Sequence, residues 1–332
     1  MKIVFMGTPD FAIPSLDILL KNNYEISAVV TAPDEPKGRG YKLTPPPVKI
    51  FALKNNLNVL QPENLKDENF IKQIKSISPD LIVVVAFRIL PREVFNIPPL
   101  GTVNVHASLL PKYRGAAPIN WAIINGEVET GVTTFFINER VDTGNIILQK
   151  KVKIDPDETA GELHDKLAIL GAETLLETVK LIESGNVKTI PQDESQATSA
   201  PKIKKEMCQI NWLNKTSIQV HNFVRGLSPQ PGAFTFLNGK LVKIYRTKLV
   251  EEPDLVENIK VLEPGQLIAK KDKLYAICAD LKPVQIIEIQ IEGKKKLTAD
   301  EFLRGYKLKP EDRFEVLNEE DLKSFLKNKS SA

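Results

Sequence analysis

The chain has 332 residues, of which 42% are hydrophobic, and a formal net charge of +3. Such a chain can bury a large core, which excludes general disorder, and its length favours two domains. Cys208 and Cys278 are the only cysteines, and their wide separation and lack of a metal or redox spacing argue against a disulfide framework.

Neither a membrane span nor a signal peptide is visible. No stretch approaches the roughly twenty consecutive apolar residues of a membrane helix, and the first residues enter a strand-like run directly. We therefore expect a cytoplasmic protein that binds no membrane. Residues 1–199 carry 21 basic and 24 acidic side chains, whereas residues 200–332 carry 24 basic and 18 acidic ones. The basic second part suggests a polyanionic partner, although scattered lysines are more often only a solvated surface.

The first half alternates short apolar runs with helical patterns. Runs typical of buried strands cover residues 2–6, 25–31, 81–86 and 102–106, and helical patterns cover residues 11–21, 48–55 and 69–77. This alternation predicts an α/β fold with a Rossmann-like, doubly wound, mostly parallel sheet. Gly7 follows the first strand, but the G-x-G-x-x-G spacing is missing there, so we expect no dinucleotide cofactor.

A long loop follows the second predicted strand. It covers residues 31–47, exceeds the few residues typical of a connection from strand to helix, and carries Lys37, Arg39 and Lys42 among glycines and prolines. One interpretation is an unstructured excursion. The other is a mobile arm whose cations contact the phosphates or base edges of a nucleic acid.

Two polar side chains interrupt the strand predicted over residues 102–106. Asn104 and His106 are two residues apart and therefore share one face of the strand. Ligands of such sheets bind outside the carboxyl ends of the strands, which is where His106 lies. Asp142, from a later loop, adds a carboxylate, and an amide, an imidazole and a carboxylate together suit acyl transfer. A lone histidine is more often structural, and we interpret His164 and His221 in that way.

The pattern changes at the polar, proline-bounded residues 191–206, which predict a linker. Strand patterns dominate afterwards, with a hairpin turn at Asn238-Gly239. We predict a catalytic domain over residues 1–190 and a small, basic, OB-like β-barrel over residues 207–314 that binds nucleic acid. A charged tail with a marginal helix covers residues 315–332.

Several of these segments resemble a known family. Asn104-Val-His106-Ala-Ser108-Leu-Leu-Pro111 and Asp142-Thr-Gly144 are similar to the signature of the 10-formyltetrahydrofolate-dependent formyltransferases. Within that family, the chain resembles the members that act on methionyl-tRNA, in residues 7–11, 33–47, 113–119 and 228–233. The resemblance extends from residue 1 to about residue 314.

The resemblance implies a reaction and a set of site residues. The formyl group of 10-formyltetrahydrofolate, the donor substrate, would pass to the α-amino group of methionine on initiator methionyl-tRNA, with no metal. Asn104, His106 and Asp142 would be catalytic. Contacts with the folate are expected from Ser108, Leu109, Leu110, Pro111, Ala86, Phe87 and Arg88. Contacts with the tRNA are expected from Lys37, Arg39, Lys42, Lys204, Lys205 and Lys243. We expect a monomer.

One departure and three alternatives stay open. The loop at residues 86–88 is one residue shorter than in many members, which leaves its pterin contacts open. Glycinamide ribonucleotide formyltransferases share the triad but resemble only the first domain. Formyltransferases of nucleotide-linked amino sugars have a similar second domain, but usually lack the loop of residues 37–40 and have arginine in place of Ala116. A non-catalytic RNA-binding protein should have lost part of the triad, which is complete here.

Overall fold

The computed structural model describes residues 1–37, 42–250 and 262–330. Two units are present. The first comprises Met1–Pro118, Glu129–Lys153 and His164–Pro201, and the second comprises Ile119–Val128, Ile154–Leu163 and Lys202–Ala332. Two stretches that precede residue 190 therefore belong to the second unit, and the domain boundaries given above stay a prediction.

Among the described residues before position 190, nine strands and six helices begin. The strands are β1 (Lys2–Gly7), β2 (Glu25–Val30), β3 (Glu35–Lys37), β4 (Lys42–Thr44), β5 (Val59–Leu60), β6 (Leu81–Val85), β7 (Thr102–His106), β8 (Glu129–Phe136) and β9 (Ile146–Lys153). The helices are α1 (Ile13–Lys21), α2 (Pro47–Lys54), α3 (Glu68–Ile77), α4 (Arg92–Phe95), α5 (Pro118–Ile124) and α6 (Ala160–Glu183), with short 3-10 turns at Asp10–Ala12 and Glu194–Gln196.

A seven-stranded sheet forms the centre of the first unit, in the order β5-β2-β1-β6-β7-β8-β9. The pairs from β5 to β7 are parallel, and β8 and β9 are antiparallel. All five residues of β6 are buried, as expected for a strand covered on both faces. The strand order reverses between β1 and β6, and a ligand crevice is expected outside the carboxyl ends of these strands and β7.

The second unit is built on antiparallel strands. They are β10 (Ala233–Leu237), β11 (Lys240–Leu249), β12 (Leu267–Lys270), β13 (Lys273–Ile277), β14 (Pro283–Ile291) and β15 (Leu297–Thr298), accompanied by a 3-10 turn at Lys205–Cys208 and the helices α7 (Ser217–Gly226), α8 (Ala299–Gly305) and α9 (Glu319–Ser330). The order is β10-β11-β14-β13-β12, with β15 beside β14. Asn238 and Gly239 both have positive φ, as a tight hairpin turn between β10 and β11 requires.

The two edge strands of this second sheet are joined by the same short segment. Arg313 forms a β-bridge with Gln266 next to β12, and Glu315 forms one with Phe236 of β10. Through these bridges and their backbone hydrogen bonds, the segment covers part of both edges of the sheet. The prediction of a Rossmann-like domain followed by an antiparallel β-domain is confirmed. No helix in the described residues is both long and apolar enough to cross a membrane.

Candidate active site

The strand β7 brings Asn104 and His106 to one face of the first sheet. Asn104 pairs with Val84 of β6 on one side and with Phe135 of β8 on the other. Val105, between them, lies against Gly171 of α6. Because alternate side chains of a strand point to opposite faces, Asn104 and His106 point away from α6. His106 is the last residue of β7 and is 6% exposed.

Asp142 reaches His106 from the loop between β8 and β9. One carboxylate oxygen, Oδ2, lies 3.8 Å from His106 Nδ1 and accepts a 2.9 Å hydrogen bond from the Gly115 backbone N–H. A separation of 3.8 Å is too long for a hydrogen bond but short enough for an ion pair when the imidazole is protonated. Asp142 has a φ of +56°, a left-handed conformation that is uncommon outside glycine.

The other imidazole nitrogen fixes the tautomer of His106. His106 Nε2 lies 2.9 Å from the carbonyl oxygen of Tyr113. A carbonyl oxygen only accepts, so Nε2 carries the proton and donates. In the neutral imidazole, Nδ1 therefore holds the free lone pair, on the side where Asp142 lies. This arrangement makes Nδ1 the position that can take up a proton.

Asn104 keeps its hydrogen-bonding groups free. Its side-chain amide forms no hydrogen bond with any residue that the structure describes. The residue is half-buried in the middle of β7, at the position that pairs with Val84. A free amide can donate a hydrogen bond to an oxygen of a bound ligand.

The loop of residues 108–111 is held by the side chains of β8 and β9. Thr133 of β8 donates to Ser108 O (2.6 Å) and accepts from Leu110 N (3.1 Å), and Gln149 of β9 donates to Leu110 O (2.8 Å). The Ser108 hydroxyl donates to Lys112 O, and the Leu110 side chain is buried, whereas Leu109 and Pro111 are partly accessible. Contact of this loop with a folate stays a prediction.

The segment predicted as a linker packs against the site loops. Residue 198 accepts from Arg114 N and donates to Pro111 O through its backbone, and its side-chain oxygen accepts from Tyr113 N. Ser199 forms a β-bridge with Arg114, and the backbone N–H of Ala200 donates a 2.6 Å hydrogen bond to the Arg114 carbonyl oxygen. A Cβ on Gly115, whose φ is +122°, would lie 2.7 Å from Ala200 O, so this position requires glycine.

A cavity of about 470 Å³ opens beside the loop that follows β6. Its lining combines apolar and charged side chains: Glu63, Asn64, Leu65, Lys66, Arg88, Ile89, Leu90, Pro91, Arg92, Phe95 and Glu139. Arg88 donates to the carbonyl oxygens of Pro62 and Glu63, and burial lowers the pKa of its guanidinium. Its Nε is buried without a partner in the described part of the chain. Ala86, exposed and with a φ of +49°, and the partly buried Phe87 precede it.

The predicted arm is partly described. Its two ends form a hairpin in which β3 pairs with β4 and Lys37 is opposite Lys42. Asp34, just before β3, accepts hydrogen bonds from Gln61 and Lys49, and these bonds lower the pKa of its carboxyl. Arg39 lies outside the described residues. Among the lysines predicted to contact tRNA, Lys204 and Lys205 are exposed, and Lys243 donates to Pro231 O.

Two family models match the chain. One, described as formyl transferase, matches residues 1–179, and the other, described as the formyl transferase C-terminal domain, matches residues 202–307. A methionyl-tRNA formyltransferase from Acetivibrio thermocellus is 51% identical over 93% of this chain and 97% of its own length. One from Flavobacterium johnsoniae is 48% identical over 92% and 96%. The chain belongs to the methionyl-tRNA formyltransferase family.

Solved structures share the fold of this formyltransferase at lower identity. WlaRD, a sugar 3N-formyl transferase solved in the presence of dTDP and 5-N-formyl-THF, has a TM-score of 0.65 and 23% identity over 89% of this chain and 99% of its own. HypX from Aquifex aeolicus, solved in complex with tetrahydrofolic acid, has a TM-score of 0.63 and 21% identity, and the match covers 96% of this chain and 50% of HypX.

Some residues of the formyltransferase site were not predicted. Thr133 and Gln149 hold the loop of residues 108–111, and Gln192 and Thr198 contact the loops around Asp142 and Tyr113. Thr133 lies between Val132 and Phe135 in β8, and a polar residue next to such apolar ones is a signal that could have been used. Gln192 and Thr198 lie in a polar stretch where nothing distinguishes them from solvated neighbours.

Proposed function

We propose that this chain transfers the formyl group of 10-formyltetrahydrofolate to the α-amino group of methionine on initiator methionyl-tRNA. The observation that carries the proposal is the approach of Asp142 to His106, two residues beyond Asn104, in a chain 51% identical to a methionyl-tRNA formyltransferase. The product would be formylmethionyl-tRNA for the initiation of translation.

In this reaction the amine nitrogen attacks the formyl carbon, and the oxygen of the resulting tetrahedral species becomes negatively charged. Asn104 donates a hydrogen bond to that oxygen through its free amide. Loss of one such donor typically costs about 2.7–4 kcal/mol of transition-state stabilisation. The bond between the formyl carbon and N10 of the folate then breaks, and the group stays on the amine as a formamide.

His106 moves the proton that this transfer requires. The attacking amine loses a proton, and N10 gains one as it leaves, so no net proton is consumed. Because Nε2 is committed to Tyr113 O, Nδ1 accepts the proton from the amine and returns it to N10. Asp142, 3.8 Å from Nδ1, stabilises the imidazolium formed between these steps.

The cavity beside Arg88 suits part of a reduced folate. A folate joins an aromatic ring system to a glutamate tail that carries carboxylates. Leu65, Leu90 and Phe95 offer an apolar surface to the rings, and Lys66 offers positive charge to the tail, whereas Arg92 is ion-paired with Glu139. We propose that the loops of residues 86–88 and 108–111 contact the donor substrate.

The acceptor is proposed to bind through basic residues in both units. Lys37, Arg39 and Lys42 belong to the arm, and Lys204, Lys205 and Lys243 belong to the second unit. Phosphate contacts of this kind give a salt-dependent affinity. All these residues come from one chain, and we propose that it acts as a monomer in the cytoplasm.

A competition between acceptors tests the proposal. The purified chain is incubated with 10-formyltetrahydrofolate and, in parallel, with initiator methionyl-tRNA, elongator methionyl-tRNA or a dTDP-linked amino sugar. We expect formylation of the initiator methionyl-tRNA at the highest kcat/KM. Formylation of the amino sugar together with an unmodified tRNA would overturn the proposal in favour of a sugar formyltransferase.

A further inference from the structure

The side chain of Gln192 joins two loops of the candidate site. Its Nε2 donates to the backbone carbonyl oxygens of Asp142 (2.9 Å) and Gly144 (2.8 Å). Its Oε1 accepts from Nε (3.1 Å) and Nη2 (2.7 Å) of Arg114. Gln192 thus connects the loop that carries Asp142 to the loop that carries Arg114 and Gly115.

These four hydrogen bonds use the full capacity of a primary amide. Both N–H groups and both lone pairs of Gln192 are engaged. If the amide of Gln192 were rotated by 180°, its oxygen would face the two carbonyl oxygens and its NH2 group would face the Arg114 guanidinium. Neither pair could form a hydrogen bond. The partners therefore fix the orientation of the amide, and no other natural side chain of this length supplies the same two donors and two acceptors.

Arg114 is itself held on its other side. Its Nη1 and Nη2 donate to the Glu194 carboxylate at 2.9 and 2.8 Å, and these bonds lower the pKa of Glu194. The Arg114 side chain is 15% exposed. Its planar guanidinium therefore bridges Gln192 and Glu194, which both belong to the segment after residue 190. The N–H groups of a guanidinium have a fixed planar geometry, so these hydrogen bonds restrain both partners.

The geometry of Asp142 needs such a restraint. Its left-handed backbone, with a φ of +56°, is strained for a residue with a Cβ, and strain of this kind persists only where the surroundings enforce it. Gln192 holds the backbone carbonyl of Asp142, and the Gly115 N–H holds the carboxylate. Together the two contacts fix both ends of the residue whose carboxylate faces His106.

We propose that Gln192, clamped by Arg114, is a positioning residue that sets the distance between the Asp142 carboxylate and the His106 imidazole. The kinetic consequence of this inference rests on the proposed function, because the distance matters for the stabilisation of the His106 imidazolium during formyl transfer. Gln192 does not contact the substrates in this scheme. It acts through Asp142, and its loss should lower kcat and leave the binding of both substrates intact.

The kinetic test compares Gln192→Met with Gln196→Met. Gln196 lies in the same segment, is exposed and donates only to Asp193, so its change is chemically matched but leaves the clamp intact. We expect Gln192→Met to lower kcat by about 10- to 100-fold, as misplacement of a catalytic group does, with unchanged KM for folate and tRNA. Gln196→Met should retain the wild-type kcat. Equal kcat values for the two variants would overturn the inference.

A double-mutant cycle with Asp142→Asn separates positioning from general stability. If Gln192 acts through Asp142, adding Gln192→Met to Asp142→Asn should lower kcat little further. A merely structural residue would lower kcat by the same factor in both backgrounds, and that result would contradict the proposal.

A spectroscopic readout keeps the inference separate from the proposed function. The chain has three histidines, so the imidazole NMR signals of His106 can be assigned with His106→Gln. We expect Gln192→Met, but not Gln196→Met, to shift the His106 signals in the protein without substrates. Unchanged signals refute the clamp even if formyl transfer is observed. Shifted signals without any formyl transfer by the wild-type protein refute the proposed function alone.

Discussion

At the scale of single residues, the His106 imidazole is held by a hydrogen bond at one ring nitrogen and has a carboxylate near the other. The Tyr113 carbonyl oxygen holds the proton on Nε2, and the Asp142 carboxylate lies 3.8 Å from Nδ1. Asn104, two residues earlier, adds a donor that no described residue uses. In the proposed reaction the three side chains have separate tasks, which are oxyanion binding by Asn104, proton transfer by His106 and stabilisation of the imidazolium by Asp142.

Asn104→Ala tests the first of these tasks. Because the variant lacks the donor to the tetrahedral oxygen, we expect kcat to fall by about 10²- to 10³-fold. The thermal midpoint should stay close to that of the wild-type protein, since the amide has no partner to lose among the described residues. Steady-state formylation and a thermal scan measure both quantities. A wild-type kcat would exclude Asn104 from the oxyanion site.

Gly115→Ala tests the close approach that holds Asp142. The added Cβ would lie 2.7 Å from Ala200 O at a φ of +122°. We expect a loss of about 1–3 kcal/mol in the free energy of unfolding and a lower kcat, because the Gly115 N–H would move away from Asp142. Gly185→Ala is the control, since Gly185 also has a positive φ but nothing lies within 4 Å of its added Cβ. Gly115→Ala should lower both the free energy of unfolding in urea and kcat more than Gly185→Ala does. Equal effects of the two substitutions would contradict a role for the close approach of Gly115 to Ala200.

At the scale of elements, the N-terminus of α6 has a capping box. The Glu162 carboxylate accepts from the backbone N–H and the hydroxyl of Thr159, both at 2.8 Å, and forms an ion pair with Arg246. Burial raises the pKa of Glu162, but the hydrogen bonds from Thr159 and Arg246 outweigh it, and the pKa falls from 4.5 to about 2. The carboxylate therefore stabilises the folded state above pH 4.5, and this stabilisation is lost as the pH falls toward 2.

Glu162→Gln checks this dependence on pH. At neutral pH we expect the variant to lose about 0.2–1 kcal/mol of stability, because a glutamine still caps the helix but loses the partly exposed ion pair with Arg246. The difference from the wild-type protein should shrink as the pH falls from 4.5 toward 2, because the wild-type carboxylate is then protonated too. Thermal unfolding across this pH range measures the difference in stability, and Glu68→Gln, at an exposed position, is the control. A difference that is constant with pH would contradict the lowered pKa.

Local patterns determined much of the fold in advance. The bounds of β7 follow from the apolar run around Asn104, and the hairpin of β10 and β11 follows from Asn238-Gly239. The crevice position of His106 follows from the rule for open sheets. Local patterns carry no information on contacts such as that of Gln192 with Asp142, because fifty positions separate the two residues. The assignment of residues 191–206 to a linker rested on composition, which does not distinguish a solvated strand from one packed on a loop.

At the scale of the whole molecule, charge is distributed unevenly between the two parts of the sequence. Residues 200–332 carry the excess of basic side chains, and Lys204 and Lys205 are exposed among them. A long-range field of this sign attracts a polyanion and makes its binding weaken with salt. The proposed binding of tRNA therefore draws on the charge of the second part of the sequence as well as on single side chains.

The double variant Lys204→Ala with Lys205→Ala tests the assigned tRNA contact. We expect a higher KM for methionyl-tRNA and an unchanged kcat. The slope of the logarithm of the binding constant against the logarithm of the salt concentration should become smaller in magnitude by about 1 to 2. Lys72→Ala with Lys75→Ala, a matched pair on α3, should change none of these quantities. Filter binding at several salt concentrations gives the slopes. Identical slopes for the two double variants would remove residues 204 and 205 from the tRNA interface.

The most direct test of the account is a single-turnover formylation of initiator methionyl-tRNA, with the folate and the enzyme in excess. The wild-type protein and His164→Ala should both convert the methionine ester to formylmethionine. His106→Ala should be slower by about 10²- to 10⁴-fold, the usual contribution of a general base. Conversion at the same rate by His106→Ala, or no formylmethionine with the wild-type protein, would contradict the central claim.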